Sequence, residues 1–155
     1  METAGEVLQT ALEFENEGRD FYLGSVDRVR DPVVKAVLAA LAQDEEAHSS
    51  LIRRFYDALK RSRGWPEVGK DVTAPEPARE RIVRLVGETA GSITADETYR
   101  TVYEHARRLE VASRDFYHAQ AEGAGDRDLV AFYAFLERVE QIHVEVLDGL
   151  LEAMP

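Results

Sequence analysis

Four long segments of the chain carry apolar residues in alternating steps of three and four, the spacing of a helix face turned toward a bundle seam. In the second segment the stripe reads Val34, Leu38, Leu41, Glu45, His48, Ile52, Phe55, Leu59. In the fourth it reads Leu129, Tyr133, Leu136, Glu140, His143, Leu147, Leu150, Met154. The first gives Leu8, Ala11, Glu15, Gly18, Tyr22, Ser25, and the third Tyr99, Tyr103, Ala106, Glu110, Ser113, Tyr117, Gln120. Every stripe is apolar at its ends and polar in its middle. A carboxylate or imidazole facing a core is costly unless something pairs with it.

Punctuation between the stripes sets the helix bounds. Thr3 and Glu6 have capping-box spacing, which starts a helix over about 3–28. Asp31 as N-cap with Pro32 at the first helical position starts the next, over about 31–62. Thr94 and Glu97 repeat the capping-box spacing and open a third helix over about 94–122. The Gly-containing "EGAGDR" separates it from a fourth over about 126–153. Between the second and third lies a Pro- and Gly-rich stretch, about 63–93, holding Trp65, Pro66, Pro75 and Pro77. A short helix over 78–86 is expected inside it, with Trp65 pinning the stretch to the bundle. Two tight helical hairpins joined by one long crossover predict an all-α, ferritin-like four-helix bundle, a single domain over 1–155.

The polar positions repeat with the hairpins. Glu45 and His48 stand three apart, on one helix face, and Glu140 and His143 do the same. Glu15 and Glu110 each precede a tyrosine, Tyr22 and Tyr117, by two turns. "RDFY" at Arg19–Tyr22 recurs at Arg114–Tyr117, and the interval from Glu15 to Glu45 equals that from Glu110 to Glu140. The midpoint of each interval falls at a hairpin turn, so each glutamate lies about 22 Å from its turn at 1.5 Å rise per residue. All six side chains, Glu15, Glu45, His48, Glu110, Glu140 and His143, are therefore expected at one level of the bundle. Four carboxylates meeting in an apolar core repel one another and lose hydration. Two divalent cations balance their charge. A glutamate from each of two helices with Glu-x-x-His from the other two is the ligand set of di-iron and di-manganese bundles. Mixed oxygen and imidazole donors suit iron or manganese, and zinc is also compatible.

Composition narrows the functional classes. A net charge of −11 argues against nucleic acid, whose binders carry a basic footprint. No apolar run approaches the roughly 18 residues of a membrane span, and the start "METAGEVLQT" lacks a secretory layout. With no cysteine, the chain holds neither disulfide nor thiolate metal site, which fits a cytoplasmic location.

"LEFENEGRDFY" and "LAQDEEAHSSLI" in the first half, with "RLEVASRDFY" and "LERVEQIH" in the second, resemble the rubrerythrin-like branch of the ferritin-like di-iron superfamily. The resemblance covers nearly the whole chain outside the crossover. It implies ligands at Glu15, Glu45, His48, Glu110, Glu140 and His143, with Glu45 and Glu140 bridging two iron ions. It also implies an oxidoreductase reacting with peroxide or dioxygen, of peroxidase or ferroxidase type, and it is compatible with a homodimer. The alternative is a protein that binds, stores or delivers iron without useful turnover. A closed storage shell is less expected, because cages of this kind use a fifth helix and this chain stops just after the fourth. A hydroxylase acting on an organic substrate stays open, as does a bundle that has lost its metal.

Two departures from the family pattern matter. The best-known rubrerythrins append a four-cysteine iron domain that delivers electrons, so here the electron donor is expected to be another molecule. They also carry an extra glutamate one turn from the third-helix ligand, where this chain has Arg107 and Ser113.

Around the six, Tyr22 and Tyr117 are expected to hydrogen-bond the ligand carboxylates. Gly18 and Ser113, one turn past Glu15 and Glu110, suggest either room for a small oxidant or close helix packing. Arg19, Asp20, Asp44, Arg114 and Asp115 are further candidate partners, most of them expected in surface ion pairs. His105 and His118 lie off the ligand level. Glu46 and Glu137 point away from it.

Overall fold

In a computed structural model describing residues 3–61, Arg84 and residues 97–154, the chain forms four long helices. They are α1 (Ala4–Val26), α2 (Pro32–Lys60), α3 (Glu97–Gly123) and α4 (Arg127–Ala153). Thr94, Trp65, the short helix over 78–86 and most of the crossover lie outside the described residues.

The helix starts follow local chemistry. Thr3 Oγ1 accepts from the Glu6 backbone N–H at 3.3 Å, while Glu6 Oε2 accepts from the Thr3 N–H at 2.7 Å. That reciprocal pair satisfies two donors left over at the start of α1. Asp31 accepts from the Val33 N–H at 2.8 Å and places Pro32 where no donor is needed. Asp126 plays the same part for α4, accepting from Asp128 and Leu129 at 2.9 and 3.1 Å. α1 stops at Val26, two residues short of the sequence expectation, with Asp27 as its C-cap.

α1 packs on α2, α3 packs on α4, and α1 also adjoins α3. Cross-helix contacts give the directions. Tyr22 near the end of α1 meets Glu110 in mid-α3, whereas Glu15 earlier in α1 meets Tyr117 later in α3, so these two helices run antiparallel. Asp44 opposite His143 and Phe55 opposite Phe132 show α2 and α4 to be antiparallel as well. All neighbours are antiparallel. The end of α2 therefore lies at the opposite end of the bundle from the start of α3. Near that start, the Asp31 N–H donates to Tyr99 Oη at 3.0 Å, tying α3 to the α1–α2 turn. A connection between them must travel the length of the 29-residue α2, about 43 Å. That is the physical reason for a long crossover.

The predicted stripes are the buried faces. Their residues in α1 are all buried, and in the other helices only Leu59, Gln120 and Met154, at the ends, are partly exposed. The core splits into two apolar clusters. One surrounds Leu38, Leu41, Tyr103 and Leu147, and the other Leu8, Ile52, Phe55, Phe132 and Leu136. Phe55 and Phe132 stack with ring centroids 3.6 Å apart and planes 10° from parallel. Between the two clusters lies the polar level.

Candidate metal centre

Glu15, Glu45, His48, Glu110, Glu140 and His143 are each at most 4% exposed, and they meet between the apolar clusters. They fall into two overlapping groups whose donor atoms lie within 4.8 Å of one another. Glu15, Glu45, His48 and Glu140 make one group, and Glu45, Glu110, Glu140 and His143 the other. Glu45 and Glu140 belong to both.

Each imidazole turns Nδ1 toward the carboxylates. His48 Nδ1 is 3.3 Å from Glu15 Oε2 and 3.4 Å from Glu140 Oε1. His143 Nδ1 is 3.1 Å from both Glu110 Oε1 and Glu45 Oε1. The rings lie 5.4 Å apart and 25° from parallel.

The tyrosines cross between the hairpins. Tyr117 Oη donates to Glu15 Oε1 at 2.6 Å and Tyr22 Oη donates to Glu110 Oε1 at 2.5 Å. Burial, and then the adjacent carboxylate charge, push both phenols well above their usual pKa, so they remain donors. Because α1 and α3 are antiparallel, each tyrosine serves the glutamate of the other hairpin.

The electrostatics show what this cluster lacks. Burial, followed by the surrounding carboxylates, raises Glu45 and Glu140 well above the ordinary value of 4.5. Burial would also raise Glu15, but hydrogen bonds with Glu45 and His48 hold it down at about 2. Glu110 is depressed too: burial would raise it, but the His143 charge and hydrogen bonds with Glu140, His143 and Tyr22 together prevail. His143 is raised well above 6.5: its burial opposes the charge, and the Glu110 carboxylate and an Asp44 hydrogen bond prevail. Glu45, Glu140 and His143 thus hold protons that cations would displace. Among the described residues, Glu45 Oε1 and both Glu140 oxygens are buried with no hydrogen bond at all. These oxygens, which face imidazole Nδ1 atoms at 3.1–3.7 Å without a hydrogen bond, sit on the two residues common to both groups. The donor set thus fits two divalent cations in number and charge.

Gly18 has a specific neighbour. A Cβ there would lie 3.3 Å from Glu45 Oε2 and 3.4 Å from its carboxyl carbon. The glycine therefore makes room for the Glu45 carboxylate itself. A cavity of about 20 Å³ opens beside it between α1 and α3, lined by Phe14, Gly18, Glu45, Leu109, Glu110 and Ser113. At Gly18 the close neighbour is the Glu45 side chain rather than another helix backbone, with a small void next to it.

The peripheral candidates separate cleanly. Arg19 pairs with Asp20 and Glu46 at the surface, and Arg114 with Asp115 and Gln141. Exposed His118 contacts Glu137 and Glu122. His105 packs beside Phe21, away from the cluster. Arg107, one turn before Glu110, pairs with Asp148. Asp44 differs from the surface ion pairs it was grouped with. It is buried, and its Oδ2 lies 3.1 Å from His143 Nε2. Its position beside Glu45 marks it as a candidate partner without pointing to His143, because that residue comes from another helix. The available signal was an acidic residue on a helix flank facing α4.

A four-helix bundle with paired carboxylate–histidine sets at its mid-level defines the ferritin-like class of two-metal proteins. Residues 6–151 match the family described as Rubrerythrin, and the chain belongs to that family. Searches of curated proteins and of solved structures gave no match. Among the described residues no helix is long and apolar enough to cross a membrane.

Proposed function

We propose that the cluster holds two iron ions and that the protein is a di-iron oxidoreductase reducing peroxide or dioxygen with electrons from an external donor. Glu15 and His48 would hold one ion, Glu110 and His143 the other, and Glu45 and Glu140 would bridge them. The observation that carries this reading is the sharing of Glu45 and Glu140 between both groups, with buried oxygens on those two residues that make no hydrogen bond among the described residues. Two bound iron ions would supply a two-electron couple, and four carboxylates would balance its reduced charge.

The protein's own contribution is positional. Tyr22 and Tyr117 hold Glu110 and Glu15 by one oxygen each, and the second oxygen of Glu15 faces His48 Nδ1 at 3.3 Å. The apolar clusters above and below exclude bulk water, which strengthens every charge interaction between them. The cavity beside Gly18 accommodates one water-sized molecule, a fit for a small inorganic oxidant and too small for an organic substrate.

Elemental analysis of protein purified without chelator, followed by rapid mixing of the reduced form with hydrogen peroxide or air, tests the proposal. The expected result is about two iron atoms per chain and reoxidation faster than that of free Fe(II). Failure to take up metal after anaerobic Fe(II) loading would overturn it.

A further inference from the structure

The two hairpins match at an offset of 95 positions, the interval between Glu15 and Glu110. Under that correspondence His48 pairs with His143 and Glu45 with Glu140, but Asp44 corresponds to Val139. Here the symmetry of the site breaks. His143 Nε2 lies 3.1 Å from Asp44 Oδ2, both residues being at least nine-tenths buried. The matching position by His48 carries an aliphatic side chain packed in the apolar cluster around Ile52 and Leu136.

This contact fixes the use of the ring. Asp44 accepts from Nε2–H, so Nδ1, which faces Glu45 and Glu110 at 3.1 Å, is the nitrogen that would give up its proton to bind a cation. An anionic acceptor behind an imidazole locks its rotation and makes the opposite nitrogen a stronger donor. Loss of such a partner weakens metal affinity about 10–100-fold. His48 Nδ1 lies farther from its carboxylates, at 3.3 and 3.4 Å.

We infer that the two metal positions are unequal, and that Asp44 is a positioning residue making the Glu110–His143 position the tighter one, filled first. The inference rests on the two-metal reading above. It adds an order of loading that follows from this chain's departure from its own repeat.

The test is a titration of the metal-free full-length protein with Co(II), which binds the same donors and does not oxidise in air. Binding is followed by calorimetry and by NMR of ¹⁵N-histidine-labelled protein. The His143 signals are assigned by their absence in His143→Gln. Wild-type protein is expected to bind in two resolved steps, with the first equivalent shifting His143 before His48. It should also show a slowly exchanging His143 Nε2–H. In Asp44→Asn, which preserves side-chain volume, the first step should weaken at least about tenfold while the second changes little. Asp44→Val, copying the other hairpin, should bring the two steps together. A merely structural role for Asp44 would weaken both steps alike or lower only thermal stability, and either result overturns the inference. Two equal steps in the wild type would also overturn it while leaving the two-metal reading intact. Binding of a single equivalent would instead sink the two-metal reading.

Discussion

The hydroxyl of Tyr117, on α3, donates to the carboxylate of Glu15, on α1, at 2.6 Å, and Tyr22 returns the bond from α1 to Glu110. Each hairpin thus steadies a carboxylate belonging to the other. A hydrogen bond to a charged, fully buried acceptor contributes about 1.5–3 kcal/mol. Tyr117→Phe is therefore expected to lower the stability of the metal-free protein by that amount in chemical denaturation. Metal affinity should fall with it, because Glu15 loses the bond that fixes its rotamer.

Glu45→Gln should separate folding from metal binding. Burial and neighbouring carboxylates raise the Glu45 pKa well above 4.5, so a neutral isostere suits the metal-free core. The metal-free variant is expected to melt at or above the wild-type temperature, while bound metal falls by at least one ion per chain. Glu45→Ala should lose metal and also stability, through the cavity it leaves. Parallel melting curves and metal analyses check both.

Gly18→Ala sets two effects against each other. Alanine in a helix interior gains about 1 kcal/mol over glycine. Its Cβ, however, would stand 3.3 Å from Glu45 Oε2, tighter than an ordinary contact. Metal-free protein can shift Glu45 slightly, so its stability should change by less than about 1 kcal/mol. In metal-loaded protein that carboxylate would, under the two-metal reading, be held by both ions and unable to shift, and affinity should drop. Calorimetric titration of the two proteins side by side decides it.

The pH dependence has a definite sign. Glu45 and Glu140, with raised pKa values, make the folded chain bind more protons than the unfolded chain above pH 4.5. Stability from them is complete below that point and is lost as pH rises. His143 acts in the same direction above 6.5. Glu15, held at about 2, acts oppositely: its contribution is present above 4.5 and is lost as pH falls toward 2. Metal-free protein should therefore be most stable near pH 4.5–5 and soften toward about pH 8. Metal binding displaces the protons, so loaded protein should gain most over metal-free protein at the alkaline end. Thermal melts across this range, with and without metal, give the comparison.

Much of this arrangement was legible in the sequence because its determinants are periodic. The three-and-four stripes named the buried faces, and Thr3–Glu6 and Asp31–Pro32 marked two helix starts. Equal distances from two turns placed the six polar side chains at one level. Contacts decided by helix direction were not legible. The tyrosines' choice of the opposite hairpin's glutamate follows from α1 and α3 running antiparallel, which no single stripe encodes. Asp44 was legible only as one of several possible partners for the same reason, since one step from Glu45 turns a side chain about 100° around the helix. Only the presence of His143 across from it turns that flank into part of the site.

Each donor group draws on both hairpins. The first takes Glu15, Glu45 and His48 from one half and Glu140 from the other, and the second takes Glu45 from the first half with Glu110, Glu140 and His143. Neither half could assemble a full set alone. Under the two-metal reading the centre is a clasp as well as a reaction site, and scarcity of its metal would loosen the seam between the halves before it loosened either one. The supply of a nutrient ion would then be sensed as the cohesion of the molecule.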